Sequence, residues 1–233
     1  PKYLSIVEHD TSRIRFFSNI NQIVMQSDTL IIAIPSPYLK LQLKRMRQDI
    51  SQKFILIATK GIVPDENMLI SDYLHEFYQV PYNNIATISG PCHAEEVAYE
   101  RMSFLTFACQ DEEKAKTLAN CFECRFVHTT INPDLFGVEF GSTLKNVYAI
   151  ASGICHGLKY GDNFRAVLVS NAIQEMKRFI TTAFPDENRK ISDSVYTGDL
   201  LVTAYSKFSR NRIFGTMIGK GYSVKSAQIE MEM

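Results

Sequence analysis

A few charged side chains stand out because of where the sequence puts them. Lys145 lies in GVEFGSTLKNVYAIASG, Gly137 to Gly153, whose apolar residues Val138, Leu144, Val147 and Ala151, followed by Ile154, return at three- and four-residue steps. That spacing predicts a helix, with Glu139, Ser142, Lys145, Asn146 and Ala149 on its flank, where small and polar residues leave room for a ligand. An ammonium group on such a half-buried face can donate a proton or stabilise a developing negative charge. It can equally snorkel to water. Lys60 closes an apolar strand-like run, Ile55 to Ala58, and should project from its end. Asp199, in Gly198-Asp199-Leu200-Leu201, precedes an apolar run, as a helix cap or a functional acid. Ser209-Arg210-Asn211-Arg212 joins a hydroxyl, a forked guanidinium and an amide at a helix start. This set matches a phosphate dianion, since free N–H groups and the helix dipole add to the charge. A solvated basic turn would use the same residues.

To act together these residues need a frame. From Thr29 to Thr130 apolar β-rich runs alternate with amphipathic helical ones. Strands are predicted over 29–34, 54–59, 85–89, 104–109 and 125–128, and helices over 38–50, 67–78, 94–100 and 112–122. The alternation argues a mostly parallel sheet covered on both faces, with ligands bound beyond the carboxyl ends of the strands. Three strand ends carry unusual residues: Ile34-Pro35-Ser36, Thr59-Lys60-Gly61 and Ser89-Gly90-Pro91-Cys92. Gly61 and Gly90 permit close backbone approach, although glycine and proline also punctuate strand ends as a rule. After Asn132-Pro133-Asp134 the β-branched runs stop, and helices are predicted over 135–158, 163–184, 198–205 and 211–218, with a polar loop over 185–194. Gly161-Asp162-Asn163-Phe164-Arg165-Ala166 reads as a turn and cap opening a helix. Residues 1–133 are thus expected to form an α/β domain and 134–233 an all-helical one, with the cleft between them as the default site.

Composition narrows the partners. Lys+Arg and Asp+Glu are equal at 25 each, so no global field recruits nucleic acid or an anionic membrane. Any anion must be captured by a local cluster. Cys92, Cys109, Cys121, Cys124 and Cys155 are odd in number, and the Cys121–Cys124 CxxC has no second pair or paired histidines to complete a zinc site. Reduced structural thiols and no metal are expected. There is no N-glycosylation sequon, signal peptide or membrane-spanning run, which argues a cytoplasmic chain. Pro1 is not an initiator, Ser223 to Met233 reads as a helix only begun, and GxGxxG is absent, so both ends look cut.

The ordered series IAIPS, ATKGI, ISGPCHAEEVA, GVEFGSTLKNVYAIASGI, GDNFRAVL, GDLLVT and SRNRIFGTMIGKG resembles the NAD(P)-dependent glycerol-3-phosphate dehydrogenases of the bacterial type along nearly the whole chain. The resemblance implies a Rossmann-like parallel-sheet domain, incomplete at its N-terminus, followed by an all-α substrate domain, incomplete at its C-terminus. It implies hydride transfer between NAD(P)H and dihydroxyacetone phosphate, giving sn-glycerol 3-phosphate for glycerophospholipid synthesis. Position by position, it makes Lys145 the general acid/base, Lys60 its partner at the substrate, and Asp199, Ser209, Arg210 and Asn211 the remaining substrate contacts. Gly90 and Cys92 also line the substrate; Pro35, Ser36, Lys60, Ala94 and Arg210 meet the cofactor.

The chemistry fits those roles. Hydride reduction of a ketone leaves negative charge on oxygen, which an ammonium group can stabilise and then protonate. Lys60 beside Lys145 would favour release of the proton, whereas Asp199 would hold Lys145 and favour its charged form. Arg210 would clamp the remote phosphate and contribute orientation. Two departures stand out. Cys92 occupies a position commonly held by serine or threonine, and a thiol is the poorer hydrogen-bond donor. The glycine-rich phosphate loop expected before Pro1 is missing, so the chain as given is expected to bind dinucleotide poorly and one carrying the upstream residues to bind it. Titrating both with NADH and NADPH checks this. A β-hydroxyacid dehydrogenase is the alternative enzyme, and a non-catalytic remnant of the same fold the alternative class. The oligomeric state is open, with a homodimer as one arrangement and Ile218 as one residue that could pack on a partner.

Overall fold

The computed structural model describes residues 10–231, which group into two compact units. The first runs to Ile88 and resumes over Cys92–Leu135; the second takes Ser89–Pro91 together with the chain from Phe136.

The first unit alternates helix and strand: α1 (Ile20–Gln26), β1 (Thr29–Ile32), α2 (Ser36–Leu43), β2 (Phe54–Ile57), α3 (Ile70–Tyr78), β3 (Ile85–Ser89), α4 (Ala94–Ala98), β4 (Ser103–Cys109), α5 (Glu112–Asn120) and β5 (Val127–Asn132). The strands form one five-stranded sheet in the order β1-β2-β3-β4-β5, and the pairs β1–β2, β2–β3 and β4–β5 are parallel. Continuous apolar strands are what a sheet buried on both faces requires. In β2, Ile55, Leu56 and Ile57 are all fully buried. Because side chains alternate along a strand, Leu56 and its register partner Ala86 share one face with Phe107 and Cys109, and Ala115, Leu118 and Ala119 of α5 close over them. Asp111 caps α5, its side chain accepting from the Lys114 N–H.

Two elements depart furthest from their predicted spans. The helix expected over 38–50 ends at Leu43. Asn21 captures the backbone beyond it, accepting from the Arg47 N–H at 2.7 Å and donating to the Arg45 carbonyl at 3.2 Å. Asp49 likewise accepts from the Ser51 N–H at 2.8 Å, a local turn that competes with helix. The last strand occupies Val127–Asn132 rather than 125–128, because the Cys124–Val127 bridge closes a turn that it can only follow. Neither α1 nor the 3₁₀ turn Tyr82–Asn84 is announced by periodicity.

The second unit is helical: α6 (Leu135–Gly157), α7 (Gly161–Ala183), a π turn over Ser194–Gly198, α8 (Asp199–Tyr205), α9 (Arg210–Gly219) and α10 (Val224–Glu230). Residues 232–233 of the expected terminal helix, and Pro1 at the other end, lie outside the described residues. Helices α6 and α7 pack antiparallel, with Phe136 stacked on Phe184 at 5.4 Å and Phe140 on Phe179 at 5.0 Å between ring centroids. The buried side of α6 is only partly the one apolar spacing predicted: Val138 is buried and Leu144, Ala151 and Ile154 are half-buried. Val147 is 58% exposed, while Glu139, Ser142, Ala149 and Ser152 are buried. Backbone carbonyls make this affordable: Ser142 Oγ donates to the Glu139 carbonyl and Ser152 Oγ to that of Ala204.

Helix α6 meets α9 through glycine. A Cβ at Gly153 would fall 2.1 Å from the Arg212 carbonyl oxygen, and one at Gly215 would fall 2.1 Å from that of Ile150. Gly157 and Gly219 are as intolerant, against Thr216 and Ile154. The contacts advance together along both helices, so α6 and α9 run in the same direction with their backbones in van der Waals contact. Helix α9 therefore opens on the Lys145 side of Gly153.

Candidate active site

Within the second unit three separate stretches of sequence converge on one carboxylate. Asp199 is the first residue of α8, 1% exposed, and enters it directly from the π turn, an irregularity that recurs at functional sites. Its Oδ1 takes the Lys145 Nζ of α6 at 2.5 Å. Its Oδ2 accepts from Ser89 Oγ at 2.8 Å and from the Gly90 N–H at 3.2 Å. Thr203 Oγ1 donates to the Asp199 backbone carbonyl at 2.6 Å and ties down the turn that carries it. Three donors, one of them charged, satisfy a carboxylate that burial would otherwise penalise severely. Gly90 has φ 133°, a conformation closed to residues with a Cβ, and this is what aims its amide at Asp199.

Lys145 is held but not sealed: its side chain is 12% exposed against 2% for Asp199. The amine thus has one fixed anchor and keeps some access to water. Ser209 is buried and caps α9, its Oγ accepting from the Arg212 N–H at 3.2 Å. Arg210 is exposed and donates through Nη2 to the Met231 carbonyl at 3.3 Å; Asn211 is half-buried beside it. The glycine contacts set the start of α9 between one and two turns along α6 from Lys145, about 5–10 Å along the axis.

The other predicted residues belong to the first unit. Lys60 follows β2 and its Nζ donates to the Ile88 carbonyl. The backbone before it is pinned to β1, with Thr59 Oγ1 donating to the Ile34 carbonyl at 2.7 Å. Pro35 and Ser36 open α2 at the carboxyl end of β1. Gly61 has φ 138°, and a Cβ there would sit 2.7 Å from Ser36 Oγ. The glycine thus lets the turn after β2 close on Ser36, at the carboxyl edge of the sheet where dinucleotides bind in folds of this kind. Cys92 is half-buried just ahead of α4, and Ala94 is the first, exposed residue of that helix. The five cysteines form no disulfide. Among the described residues no group of three His, Cys, Asp or Glu could hold a metal, and no helix is long and apolar enough to cross a membrane.

Sequence reasoning gave Ser89 no role. Its signal was a hydroxyl closing a buried strand immediately before a glycine. The amide of Gly90, expected to line the substrate, is directed at Asp199.

A Rossmann-like α/β unit, followed by a helical unit that presents a carboxylate-anchored lysine, is the make-up of a two-part nicotinamide-dependent oxidoreductase. Comparison makes the class specific. The family of NAD-dependent glycerol-3-phosphate dehydrogenases matches through its N-terminal domain over residues 1–115 and its C-terminal domain over residues 134–233. A glycerol-3-phosphate dehydrogenase (NAD(P)+) of Clostridium botulinum is 34% identical over 233 residues, 100% of this chain and 69% of that one. The Bacillus subtilis enzyme of the same name is 33% identical, over 99% of this chain and 67% of its own. The crystal structure of glycerol-3-phosphate dehydrogenase from Coxiella burnetii superposes with a TM-score of 0.83 at 29% identity, over 93% of this chain and 66% of that one. The chain spans about two thirds of the length of these relatives. It belongs to the NAD-dependent glycerol-3-phosphate dehydrogenase family.

Proposed function

We propose that the chain interconverts dihydroxyacetone phosphate and sn-glycerol 3-phosphate with NADH or NADPH, in the cytoplasm, where the product feeds glycerophospholipid synthesis. The observation that supports this most is the Lys145–Asp199 pair, set on the same scaffold of α6 and α9 that carries Ser209, Arg210 and Asn211. An amine for a carbonyl oxygen and a cationic helix start for a phosphate, about 5–10 Å apart along one axis, suit a three-carbon phosphate ester.

In this reading the bound dinucleotide supplies the hydride, and residues 1–133 hold it with Pro35, Ser36, Lys60 and Ala94, while Arg210 of the substrate-binding part, 134–233, contributes from its own side. Lys145 stabilises the alkoxide as it forms and gives it a proton; in the reverse direction it removes that proton. Asp199 fixes where the amine stands, and Lys60 is a second cation for the same oxygen. Arg210, with Asn211 and Ser209, takes the phosphate and orients the reacting carbon. Gly90 and Cys92 complete the substrate's surroundings, with the thiol a weaker donor than a hydroxyl.

Lys145→Ala in the full-length protein is the test. Turnover of dihydroxyacetone phosphate should fall by about two to four orders of magnitude with the circular dichroism spectrum unchanged, and unchanged turnover would remove Lys145 from the mechanism. A panel that includes β-hydroxycarboxylates separates the alternative enzyme, since only a phosphate ester uses Arg210. For assembly we propose a homodimer, motivated by Phe164 and Val167, which expose 46% and 60% of their surface one turn apart on α7. A monomer mass in sedimentation across the micromolar range would refute it.

A further inference from the structure

At the far end of α6, about 16 Å along its axis from Lys145, a second set of charged groups collects. His156, in the last turn of α6, is exposed. Arg165 comes from the second turn of α7, Arg212 from the first turn of α9, and Lys220 from just past the end of α9. The Arg165 guanidinium lies 4.8 Å from the centroid of the Tyr205 ring, with Nη1 3.3 Å from His156 Nδ1 and Nη2 donating to Asp162 Oδ1 at 2.6 Å. Its Nε is buried and has no acceptor, and the same holds for the Nε of Arg212. Among the described residues the Arg212 guanidinium has no ion pair and no hydrogen-bond acceptor.

The local charge is therefore unbalanced. Among the described residues the carboxylate recorded against this group is Asp162, whose side chain is 87% exposed and already engaged by Arg165. The two guanidinium groups feel each other: burial and then Arg165 pull the Arg212 pKa down. His156 is held below the ordinary histidine range by partial burial and then by Arg212 and Arg165, and Asp162 only partly opposes this. Proteins rarely gather cations against one another without a counter-charge, because the repulsion costs free energy that packing must supply. Lys145, near the middle of the same helix, shows the chain can provide a carboxylate where it needs one.

We infer that the corner of α6, α7 and α9 is a receptor for a phosphate dianion, free or carried by a phosphate monoester, gripped by Arg165 and Arg212 with His156 and Lys220 at its rim. Planar guanidinium forks match phosphate oxygens in pairs, and a dianion cancels the excess of positive charge that a monoanion would leave. The opening turn of α7 adds amide dipoles of the favourable sign, while His156 and Lys220 offset the negative carboxyl ends of α6 and α9. The site is separate from the Lys145–Asp199 pair and stands whether or not the proposed catalytic roles hold.

His156 is the titrating group of this site, and Arg210→Gln, which removes a contact proposed for the substrate's phosphate, should leave its response in place. The protein is titrated with pH while the His156 ring is followed by NMR, in chloride and then in inorganic phosphate at equal ionic strength. Phosphate should raise the His156 midpoint by about half to one pH unit, as a nearby anion favours the imidazolium. Arg212→Gln should abolish the rise while leaving the backbone amide spectrum folded. If that variant does not fold, Lys220→Gln removes an exposed charge instead and should raise the phosphate Kd about two- to fivefold. A second arm with glycerol 3-phosphate tells a free ion from an ester. A midpoint identical in chloride, phosphate and glycerol 3-phosphate overturns the inference, as does a phosphate-induced rise undiminished by Arg212→Gln or, failing that, a Kd unchanged by Lys220→Gln.

Discussion

The middle and the far end of helix α6 treat charge in opposite ways. Near its middle, Lys145 meets a carboxylate that is nearly sealed from water and fully supplied with donors. Three turns on, Arg165 and Arg212 crowd each other with one exposed acid between them and the solvent. A charge that the chain satisfies itself is a fixed part, held at one place. A charge left unsatisfied is poised to be completed by something from outside. The same helix, braced on α9 by interlocked glycines, carries both.

The sharpest way to break this contrast is to remove the internal partner. Asp199→Ala leaves Lys145 without its counter-charge, together with the Ser89 hydroxyl and Gly90 amide that shared it. Urea unfolding should show a loss of about 3–5 kcal/mol; a loss below about 1 kcal/mol would mean that the pair is not buried in solution. Gly215→Ala attacks the brace: its Cβ would overlap the Ile150 carbonyl oxygen, and backbone has little room to retreat. We expect a cost of about 3 kcal/mol, with wild-type stability in the variant contradicting the glycine contact. Ser89→Ala deletes one neutral donor to a charged acceptor and should cost about 1.5–2 kcal/mol by the same assay.

At the other end of the helix effects on stability should be small. Arg212→Gln removes a cation whose main electrostatic neighbour is another cation, so stability should change by no more than about 0.5 kcal/mol. The sign of the pH dependence also follows. The folded-state pKa of His156 is depressed, so the unfolded chain binds its proton first and stability falls as pH drops below about 6.5. Phosphate should flatten that fall and Arg212→Gln should weaken the effect of phosphate; thermal melts between pH 5 and pH 8 read both.

Much of the frame was legible in the sequence, because strands buried on both faces must be apolar throughout and cannot be mistaken for amphipathic helices. Lys60 and Asp199 were visible as polar groups closing or opening apolar runs, Lys145 as an amine on a half-buried helix flank, and Ser209–Asn211 as a polar, basic helix start. What was not legible came from tertiary contacts. Apolar spacing assigned Val147 to the core, but α6 buries a face of serine, alanine and glycine because α9 and α8 supply carbonyls and close backbone packing there. The helix after Pro37 stopped early because Asn21, far back in the chain, claimed its next amide groups. The role of Ser89 depended on a residue more than a hundred positions away. No local pattern encodes such partners.

The central claim is that the Lys145 amine, placed by Asp199, protonates the reduced substrate. Chemical rescue tests it most directly: full-length Lys145→Ala, saturated with dinucleotide and dihydroxyacetone phosphate, is assayed with increasing concentrations of small primary amines. The account predicts that turnover recovers in proportion to the free amine and more with methylamine than with bulkier amines, while Asp199→Ala combined with Lys145→Ala recovers less. Turnover that stays flat with every amine, in a variant shown to be folded and to bind both ligands, would contradict it.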